Sequence, residues 1–282
     1  MNMKRIIAFA LMALLLCLPV WAMADEQEQK ILRVNKETVF DTSTLEAARN
    51  DNGNIYIVVN SSVSTITLNG VVLSDTTLNI VCVDNDAYDT SSVRIELIGK
   101  NSISSNNDAD FALFSNIPLT IAGEGSLTCT SGDGAILCHN SLTMQSGKLT
   151  AEGGLVGIMM IAGEFSFLGD ELTVEGGDDY GGIAFAAPDG SNITNSFTLP
   201  EYSSAPAGYT FKAWSVNGVE MQPGDPVNTA GGARVSVKPV FEKIPAAVLP
   251  QTGDNSNVIL WSALACISVI GMTMLVCKRK EA

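Results

Sequence analysis

Between residues 50 and 190 the chain consists of short alternations of apolar and polar residues, and long stretches with the helical period of 3.6 are hard to find. Turns rich in Gly, Ser, Thr and Asn separate these alternations, as after residues 65–69. Alternation with a period of two places apolar side chains on one face of a strand and polar side chains on the other. The pattern therefore predicts that this part of the chain is all-β.

The apolar positions also recur with a period near 23 residues. Three sets share this spacing: the leucines Leu127, Leu149 and Leu172; the residues two places later, Cys129, Ala151 and Val174; and the glycines Gly132, Gly154 and Gly177. A later apolar position repeats at Ile136, Ile158 and Ile183, and Ile103 stands 24 residues before Leu127. Repeats of this length in two-faced β segments are typical of stacked coils. We predict a right-handed parallel β-helix, with an antiparallel β-sandwich as the alternative.

Residues 50–187 resemble the carbohydrate-binding β-helix domains of secreted bacterial proteins. The resemblance is carried by residues 65–71, 95–103 and 118–127 and by the Gly-Gly turns that follow. Ser105 and Ser146 depart from it, since apolar or glycine residues are expected at these rung positions. The resemblance implies binding of acidic or cellulosic polysaccharide, with calcium in some members of the group.

The N-terminus has the three parts of a secretory signal peptide. Lys4 and Arg5 precede the apolar run 6–20, and the small-x-small site at residues 22–24 precedes an acidic residue. We expect cleavage between Ala24 and Asp25. A first membrane span is the alternative, but the run is short and no basic residues follow it.

Near the C-terminus, residues 258–277 carry no charge and are long enough to cross a membrane. The basic residues 278–280 follow and are expected to stay cytoplasmic. The pentapeptide just before this segment resembles the LPxTG sorting signal of sortase substrates at every fixed position: Leu249, Pro250, Gln251, Thr252 and Gly253. The resemblance implies that a sortase cleaves after Thr252 and links the chain to a cell-wall precursor, after a membrane-inserted stage.

From residue 208 the pattern resembles the small β-repeat of internalin-type B repeats, in residues 208–214, 216–219 and 234–242. Trp214 is interpreted as a core residue of this module, with sugar stacking as the alternative. The predicted organisation is an all-β chain between a signal helix and a transmembrane helix. Its segments are a signal peptide (1–24), an N-terminal cap (25–49), a β-helix (50–195), a small β module (196–243), a linker containing the sorting signal (244–257), a transmembrane helix (258–277) and a basic tail (278–282).

Charge narrows the choice of partners. The whole chain has a formal net charge of −14, and residues 25–252 hold 11 basic and 28 acidic residues, 11 − 28 = −17. Such a surface repels phosphate backbones, so we expect no nucleic-acid partner. The three cysteines in this range, Cys82, Cys129 and Cys138, stand among apolar neighbours and are interpreted as small buried residues.

The candidate chemistry is sparse. Cys138 and the single histidine, His139, are adjacent, so a strand would point them to opposite faces and they could not form a catalytic pair. Acidic clusters occur in turns, and we predict the first as a calcium site, with a solvated turn as the alternative: Asp84, Asp86 and Asp89. Tyr88 and Tyr180 are the candidate glycan contacts beside the acidic loops, with packing against a turn as the alternative.

These observations favour a surface protein over an enzyme. The hypothesis is a sortase substrate covalently attached to the wall of a Gram-positive cell, displaying a β-helix that binds polysaccharide or another surface ligand, as an adhesin does. The alternative is a structural wall or pilus-associated subunit without a ligand. A polysaccharide-degrading enzyme is the third reading, and no catalytic motif supports it.

Overall fold

The structure is a computed structural model that describes residues 31–34, 36–51, 53–59, 62–83, 91–106, 111–186 and 193–245. The chain divides into two compact units, residues 1–242 and 243–282. Only residues 243–245 of the second unit lie within the described ranges, so the architecture below is that of the first unit.

Three sheets wind around a common interior. The first sheet consists, in spatial order, of β1 (Ile31–Val34), β3 (Ile55–Val59), β6 (Leu78–Val81), β9 (Phe111–Ser115), β12 (Gly134–Cys138), β15 (Val156–Met160), β18 (Ile183–Ala186) and β19 (Ile193–Thr194). The second consists of β2 (Thr38–Phe40), β4 (Val63–Asn69), β7 (Ser92–Ile98), β10 (Leu119–Gly123), β13 (Leu142–Met144) and β16 (Phe165–Phe167). The third consists of β5 (Val72–Leu73), β8 (Lys100–Ser105), β11 (Ser126–Ser131), β14 (Lys148–Gly153), β17 (Glu171–Glu175), β24 (Val235–Lys243), β21 (Tyr209–Val216) and β22 (Val219–Met221).

The chain visits the three sheets in turn, so each coil contributes one strand to each sheet. Strands of successive coils pair in parallel, for example β8 with β11 and β11 with β14. The result is a parallel β-solenoid of about six turns, in which each inner strand shares its backbone hydrogen bonds with the coils on either side. The predicted all-β class and the parallel β-helix are confirmed. The single helix within the described ranges, α1 (Thr42–Ala47), has six residues, and no helix there is long and apolar enough to span a membrane.

The predicted register of the repeat is confirmed. Leu149 pairs with Leu127 on one side and with Leu172 on the other, and all three side chains are buried in the interior. The next inward positions stack in the same way: Cys129 on Ala151 and Ala151 on Val174. In the first sheet, Ile158 stacks between Ile136 and Ile183. Because identical positions of successive coils lie over one another, the 23-residue period in the sequence becomes columns of apolar side chains in the core.

The leucine column ends one coil earlier than the spacing suggests. Asn101, and not Ile103, pairs with Leu127, while Ile103 joins the column of Cys129. Asn101 is buried, and its side chain accepts a hydrogen bond from the Val71 N–H (2.9 Å) and donates to the Ile98 carbonyl (3.3 Å). A buried amide with these partners satisfies backbone groups that the corner between the second and third sheets leaves unpaired.

Close backbone approach shapes the corners between the sheets. A Cβ atom on Gly154 would lie 1.9 Å from the Gly132 carbonyl oxygen, so these corners stack too tightly for any side chain. At the corner between the first and second sheets, Asn116 accepts from the Cys82 N–H (2.9 Å) and donates to the Cys82 carbonyl (3.0 Å). Asn140 of the next coil donates to the Asn116 carbonyl (2.9 Å).

The N-terminal end of the solenoid is covered by its own first partial coil. β1 pairs with β3 and β2 pairs with β4, both in the next coil. The helix α1 lies beside β5, where the Thr42 hydroxyl accepts a hydrogen bond from the Val72 N–H (3.0 Å). Asp41 caps this helix by accepting from the Thr44 N–H (2.9 Å). Leu45 of α1 is fully buried in the main core. The first coil contributes no strand to the third sheet. The helix therefore covers the part of the apolar interior that such a strand would otherwise have covered.

The C-terminal strands cover the other end. β24 pairs antiparallel with β17, the last parallel strand of the third sheet, so residues from the predicted small module extend a sheet of the solenoid. The two-stranded pair of β20 (Ser196–Thr198) and β23 (Pro226–Asn228) brings Phe197 edge-to-face against Phe165 of the last coil, with centroids 5.2 Å apart. Trp214 is fully buried against Phe167, and its indole N–H donates to the Pro200 carbonyl (2.8 Å). The core interpretation of Trp214 is confirmed.

The buried hydroxyl of Thr229 helps to join the last coil to these strands. The Thr229 hydroxyl donates to the Ile183 carbonyl (2.8 Å) and accepts from the Ile183 N–H (3.0 Å). Ile183 lies on β18, the last parallel strand of the first sheet. The threonine thus satisfies both backbone groups of a buried residue at the end of the stack.

Candidate functional site

The outward side chains in the middle of the third sheet form a polar surface. One row, which we call the hydroxyl row, crosses four successive strands in register and consists of Ser102, Thr128, Thr150 and Thr173. Parallel strands lie about 4.8 Å apart, so the half-buried Ser102, Thr128 and Thr150 present hydroxyl groups at that interval along the solenoid axis, while Thr173 at the end of the row is buried with an exposed fraction of 6%.

Charged residues flank the hydroxyl row, and most of them are paired. The Lys148 ammonium lies 3.3 Å from the Glu171 carboxylate on one side of the row. On the other side, the Arg234 guanidinium lies 2.7 Å from Glu152 and 3.4 Å from Glu175. Lys100 on β8 and the exposed Lys238 on β24 add further basic side chains around this row. This face is polar but not acidic, so the negative charge of the chain lies mostly elsewhere.

The second sheet also has a polar outer face. Arg94 of β7 forms an ion pair with Glu96 (3.0 Å) and donates a hydrogen bond to the Gln145 side chain. Thr120 and Thr143 follow in the same row on β10 and β13, and both are half-buried. The charges of Arg94 and Glu96 are thus paired, half-buried threonines continue the row, and Val39, Val63 and Ile98 are exposed on strands of this sheet.

The first sheet differs from the other two, because its outward side chains are apolar. They form a second cluster, separate from the solenoid interior, which we call the outer cluster: Val58, Val81, Phe111, Phe114, Leu137, Val156, Met159, Tyr180 and Ala184. Phe114, Leu137 and Met159 have exposed fractions of 3%, 2% and 3%. Sequence reasoning missed this face, although the strands carry its signal in their nearly continuous apolar runs, such as residues 156–160.

Of the two tyrosines predicted to contact glycan, Tyr180 lies within the described ranges. Its exposed fraction is 6%, and it packs in the outer cluster. Burial, and then the negative charge of Asp179, raise the pKa of its phenol above the usual value. The ring therefore offers little open surface for a sugar to stack on, and the packing alternative describes its position.

Cys138 and His139 lie on opposite faces of the first sheet, as the alternation predicts. Cys138 is fully buried in the interior, where burial raises the pKa of its thiol to about 12. The His139 ring lies on the other side, edge-to-face with Phe114 at a centroid distance of 5.3 Å. Burial lowers the pKa of His139. A thiol with so high a pKa carries almost no thiolate at neutral pH, and the imidazole is not on its side of the sheet.

The remaining predicted site residues lie outside the described residues. These are the signal cleavage site, Ala24 and Asp25; the calcium candidates, Asp84, Asp86 and Asp89; the second tyrosine, Tyr88; and the sorting signal, Leu249, Pro250, Gln251, Thr252 and Gly253. Within the described ranges, no group of three or more His, Cys, Asp or Glu side chains is arranged to hold a metal ion.

Comparison with known proteins gives no relative from which a function could be transferred. No protein family, curated protein or solved structure matches this chain. What is established is the class of fold, a parallel β-solenoid with covered ends, polar outer faces on two sheets and an apolar outer face on the third.

Proposed function

We propose that this chain is a surface protein of a Gram-positive cell, cleaved by signal peptidase after Ala24 and attached to the cell wall by a sortase. The observation that carries the proposal is the order of three sequence features: the pentapeptide 249–253, the uncharged segment 258–277 and the basic residues 278–280. Pro250 fixes its own φ and favours an extended conformation at Leu249, which suits a segment read by an enzyme cleft.

The chemistry of attachment belongs to the sortase. Its cysteine attacks the carbonyl of Thr252, the peptide bond to Gly253 breaks, and the chain up to Thr252 becomes a thioester of the enzyme. An amine of a cell-wall precursor then displaces the thiolate and forms a new amide bond. Residues 258–277 act as a transmembrane helix that holds the precursor at the membrane until this exchange. The solenoid, wound right-handed in this proposal, is left at the cell surface.

Mass spectrometry of cell-wall digests tests the attachment. We expect peptides that end at Thr252, with the mass of a cross-bridge amine added to the Thr252 carboxyl group. The same digests should show Asp25 as the first residue. If most surface copies retain residues 253–282, the sortase step is contradicted. The protein would then be held at the cell surface by a membrane anchor.

For the displayed solenoid we propose polysaccharide binding without catalysis. The hydroxyl row supports this, since its Ser and Thr side chains recur on successive strands along the axis, as the units of a polymer do. Affinity would come from many weak hydrogen bonds, because Tyr180 is packed and offers no open platform. Binding should therefore be weak for single sugars and should grow with polymer length.

Residues 25–252 have a net charge of −17, which affects how an acidic glycan could bind. A net charge of this size disfavours direct attraction, so we propose that a divalent cation bridges carboxylates of the protein and of the glycan. We expect acidic-glycan binding, measured by calorimetry with and without calcium, to disappear on adding a chelator. Replacing both Asp84→Ala and Asp86→Ala should weaken it at least about tenfold, or ~1.4 kcal/mol.

A matched control uses the exposed acidic pair Asp178 and Asp179. Asp178→Ala with Asp179→Ala removes the same charge but should leave the calcium-dependent binding intact. Equal losses from the two double variants would point to net charge as the cause and would remove Asp84 and Asp86 from the proposed site. If no polymer binds in either condition, the structural wall subunit becomes the better proposal.

A further inference from the structure

An uncharged group of hydroxyl side chains lies on the outer face of β8, β11 and β14. Every second residue of these strands points outward, and paired positions of neighbouring strands lie side by side. Lys100 and Lys148 lie on either side of this group at Ser126, and Glu152 lies beside it at Thr130, so charge occurs only at its margin. We call the group the serine–threonine patch: Ser102, Ser104, Ser126, Thr128, Thr130 and Thr150.

Most hydroxyl groups of the serine–threonine patch are available to a ligand. Its six side chains are half-buried, and Ser104 donates a hydrogen bond to the Leu73 carbonyl (3.3 Å). Among the residues that the structure describes, the other five side-chain hydroxyls have no hydrogen-bond partner. Because a hydroxyl group can both donate and accept, the patch suits a ligand that is rich in hydroxyl and amide groups.

The proposed attachment point limits how far this patch can lie from the wall bond. β24 ends at Lys243, and the nine residues 244–252 follow it up to the Thr252 carbonyl. Nine residues span at most about 32 Å, whatever their conformation. β5, at the far edge of the third sheet, is five strands away from β24, which corresponds to about 24 Å. With a strand length of about 30 Å, every outward residue between these strands lies within about 70 Å of the Thr252 carbonyl.

This reach is short compared with the wall of a Gram-positive cell, which is several times thicker. In the proposed function the sortase reaction takes place at the membrane, because residues 258–277 hold the substrate there. The attached chain therefore enters the wall from its inner side, with wall polymer around the patch. The polysaccharide within reach is that of the wall itself, and the surface of another cell lies too far away.

Charge distinguishes between the polymers of the wall. Residues 25–252 have a net charge of −17, which repels polymers built from phosphate groups. The glycan strands of peptidoglycan consist of sugars with neutral hydroxyl and N-acetyl groups, and their negative charge lies mainly on the attached peptide stems. Such a strand suits the uncharged hydroxyls of the patch, and the Lys100 ammonium at its border suits a stem carboxylate.

We propose that the attached solenoid stays within the thickness of the cell wall and that the serine–threonine patch binds the glycan strands of the surrounding peptidoglycan. The inference rests on the proposed sortase attachment and names the polysaccharide for the binding proposed above. Weak contacts suffice, because a tethered site meets its ligand at a high effective concentration. The chain thereby joins two wall strands, one covalently through Thr252 and one through the patch.

Co-sedimentation tests the ligand. The probe is a preparation of peptidoglycan sacculi freed of protein and of attached anionic polymers, mixed with the mature chain, residues 25–252, without divalent cations. We expect the mature chain to sediment with the sacculi. Thr128→Val with Thr150→Val removes two hydroxyls and keeps the shape and β propensity of the side chains, so it should weaken binding at least about tenfold. Thr120→Val with Thr143→Val makes the same change on the second sheet and should leave binding unchanged.

A serine variant separates loss of the hydroxyls from damage to the fold. Thr128→Ser with Thr150→Ser keeps both hydroxyl groups and should bind the sacculi like the natural chain. Binding that is equally strong with valine at positions 128 and 150 overturns the proposal. So does a mature chain that does not sediment with sacculi at all. If that chain binds another polysaccharide, the binding proposed above stands and only the wall ligand fails.

Antibody labelling tests the position within the wall. Antibodies against residues 25–252 should label intact cells weakly, and several times more strongly after muramidase has thinned the wall. Strong labelling of intact cells that muramidase leaves unchanged overturns the proposal. The masses of the wall-digest peptides ending at Thr252 report the attachment separately, so a failure of the sortase step is distinguishable from a failure of the wall ligand.

Discussion

Leu149→Asp should abolish the folded solenoid at room temperature. Leu149 is buried between Leu127 and Leu172, and its neighbours in the column are apolar. The change removes a buried side chain, at a cost of about 2–5 kcal/mol for truncation of a leucine alone. It also places a carboxylate where no partner is available, which adds several kcal/mol. Their sum is comparable to the whole stability of an ordinary domain, about 5–15 kcal/mol.

The adjacent residue provides the matched control. Lys148 is next to Leu149 on the same strand but points outward, with 59% of its side chain exposed, and it pairs with Glu171 at 3.3 Å. Exposed pairs of this kind contribute about 0–1 kcal/mol, so Lys148→Asp should lower the melting temperature only slightly. Leu149→Met, which nearly conserves volume, should cost less than about 1.5 kcal/mol. Thermal melts followed by circular dichroism measure the melting temperature of each variant. Equal tolerance of Asp at positions 148 and 149 would refute the register.

Thr252→Ala should reduce the wall-linked protein to background. In the proposed reaction the carbonyl of Thr252 is the atom attacked by the sortase, and the residue matches a fixed position of the sorting signal. A side chain without the hydroxyl and methyl groups removes contacts that position this carbonyl, and misplacement of the reacting atoms is costly in rate. The protein should then accumulate in the membrane fraction with residues 253–282 still attached, as shown by immunoblots of wall and membrane fractions.

Gln251 supplies the control for this change. It occupies the variable position of the pentapeptide, so Gln251→Ala should leave the wall-linked fraction unchanged. Loss of wall linkage in both variants would indicate damage to export or to the segment as a whole. Thr252→Ala protein that is still released only by wall-degrading enzymes would contradict the assignment of Thr252.

Much of the solenoid could be predicted from the chain because its core is periodic. The parallel stack places each residue over the one 22 or 23 positions later, so Leu127, Leu149 and Leu172 show the register in the sequence itself. The sequence missed the place where the period breaks. Asn101 stands in the leucine column because it bonds to the corner backbone, and no spacing rule distinguishes such an amide from a polar turn residue.

For the polar surface, the sequence predicted only which residue types face outward. Serine and threonine at alternating positions predict an outward polar face, but their alignment into the hydroxyl row depends on which coils pair. The charge around that row also required the structure, because Arg234 comes from the C-terminal strands to neutralise Glu152 and Glu175. Contacts between residues about 60–80 positions apart leave no local pattern.

The sequence by itself determined the repeat, the β class and the inward positions, because these follow from periodicity along one strand and between neighbouring coils. The tertiary structure decided how the ends are covered and what each outer face is. Trp214 and Thr229 cover the last coil through contacts with Phe167 and Ile183 that only the fold brings together. The strands of the first sheet carry nearly continuous apolar runs, the pattern of strands buried on both faces, but that these strands stack into one sheet with an apolar outer face became visible only when the three sheets were in place.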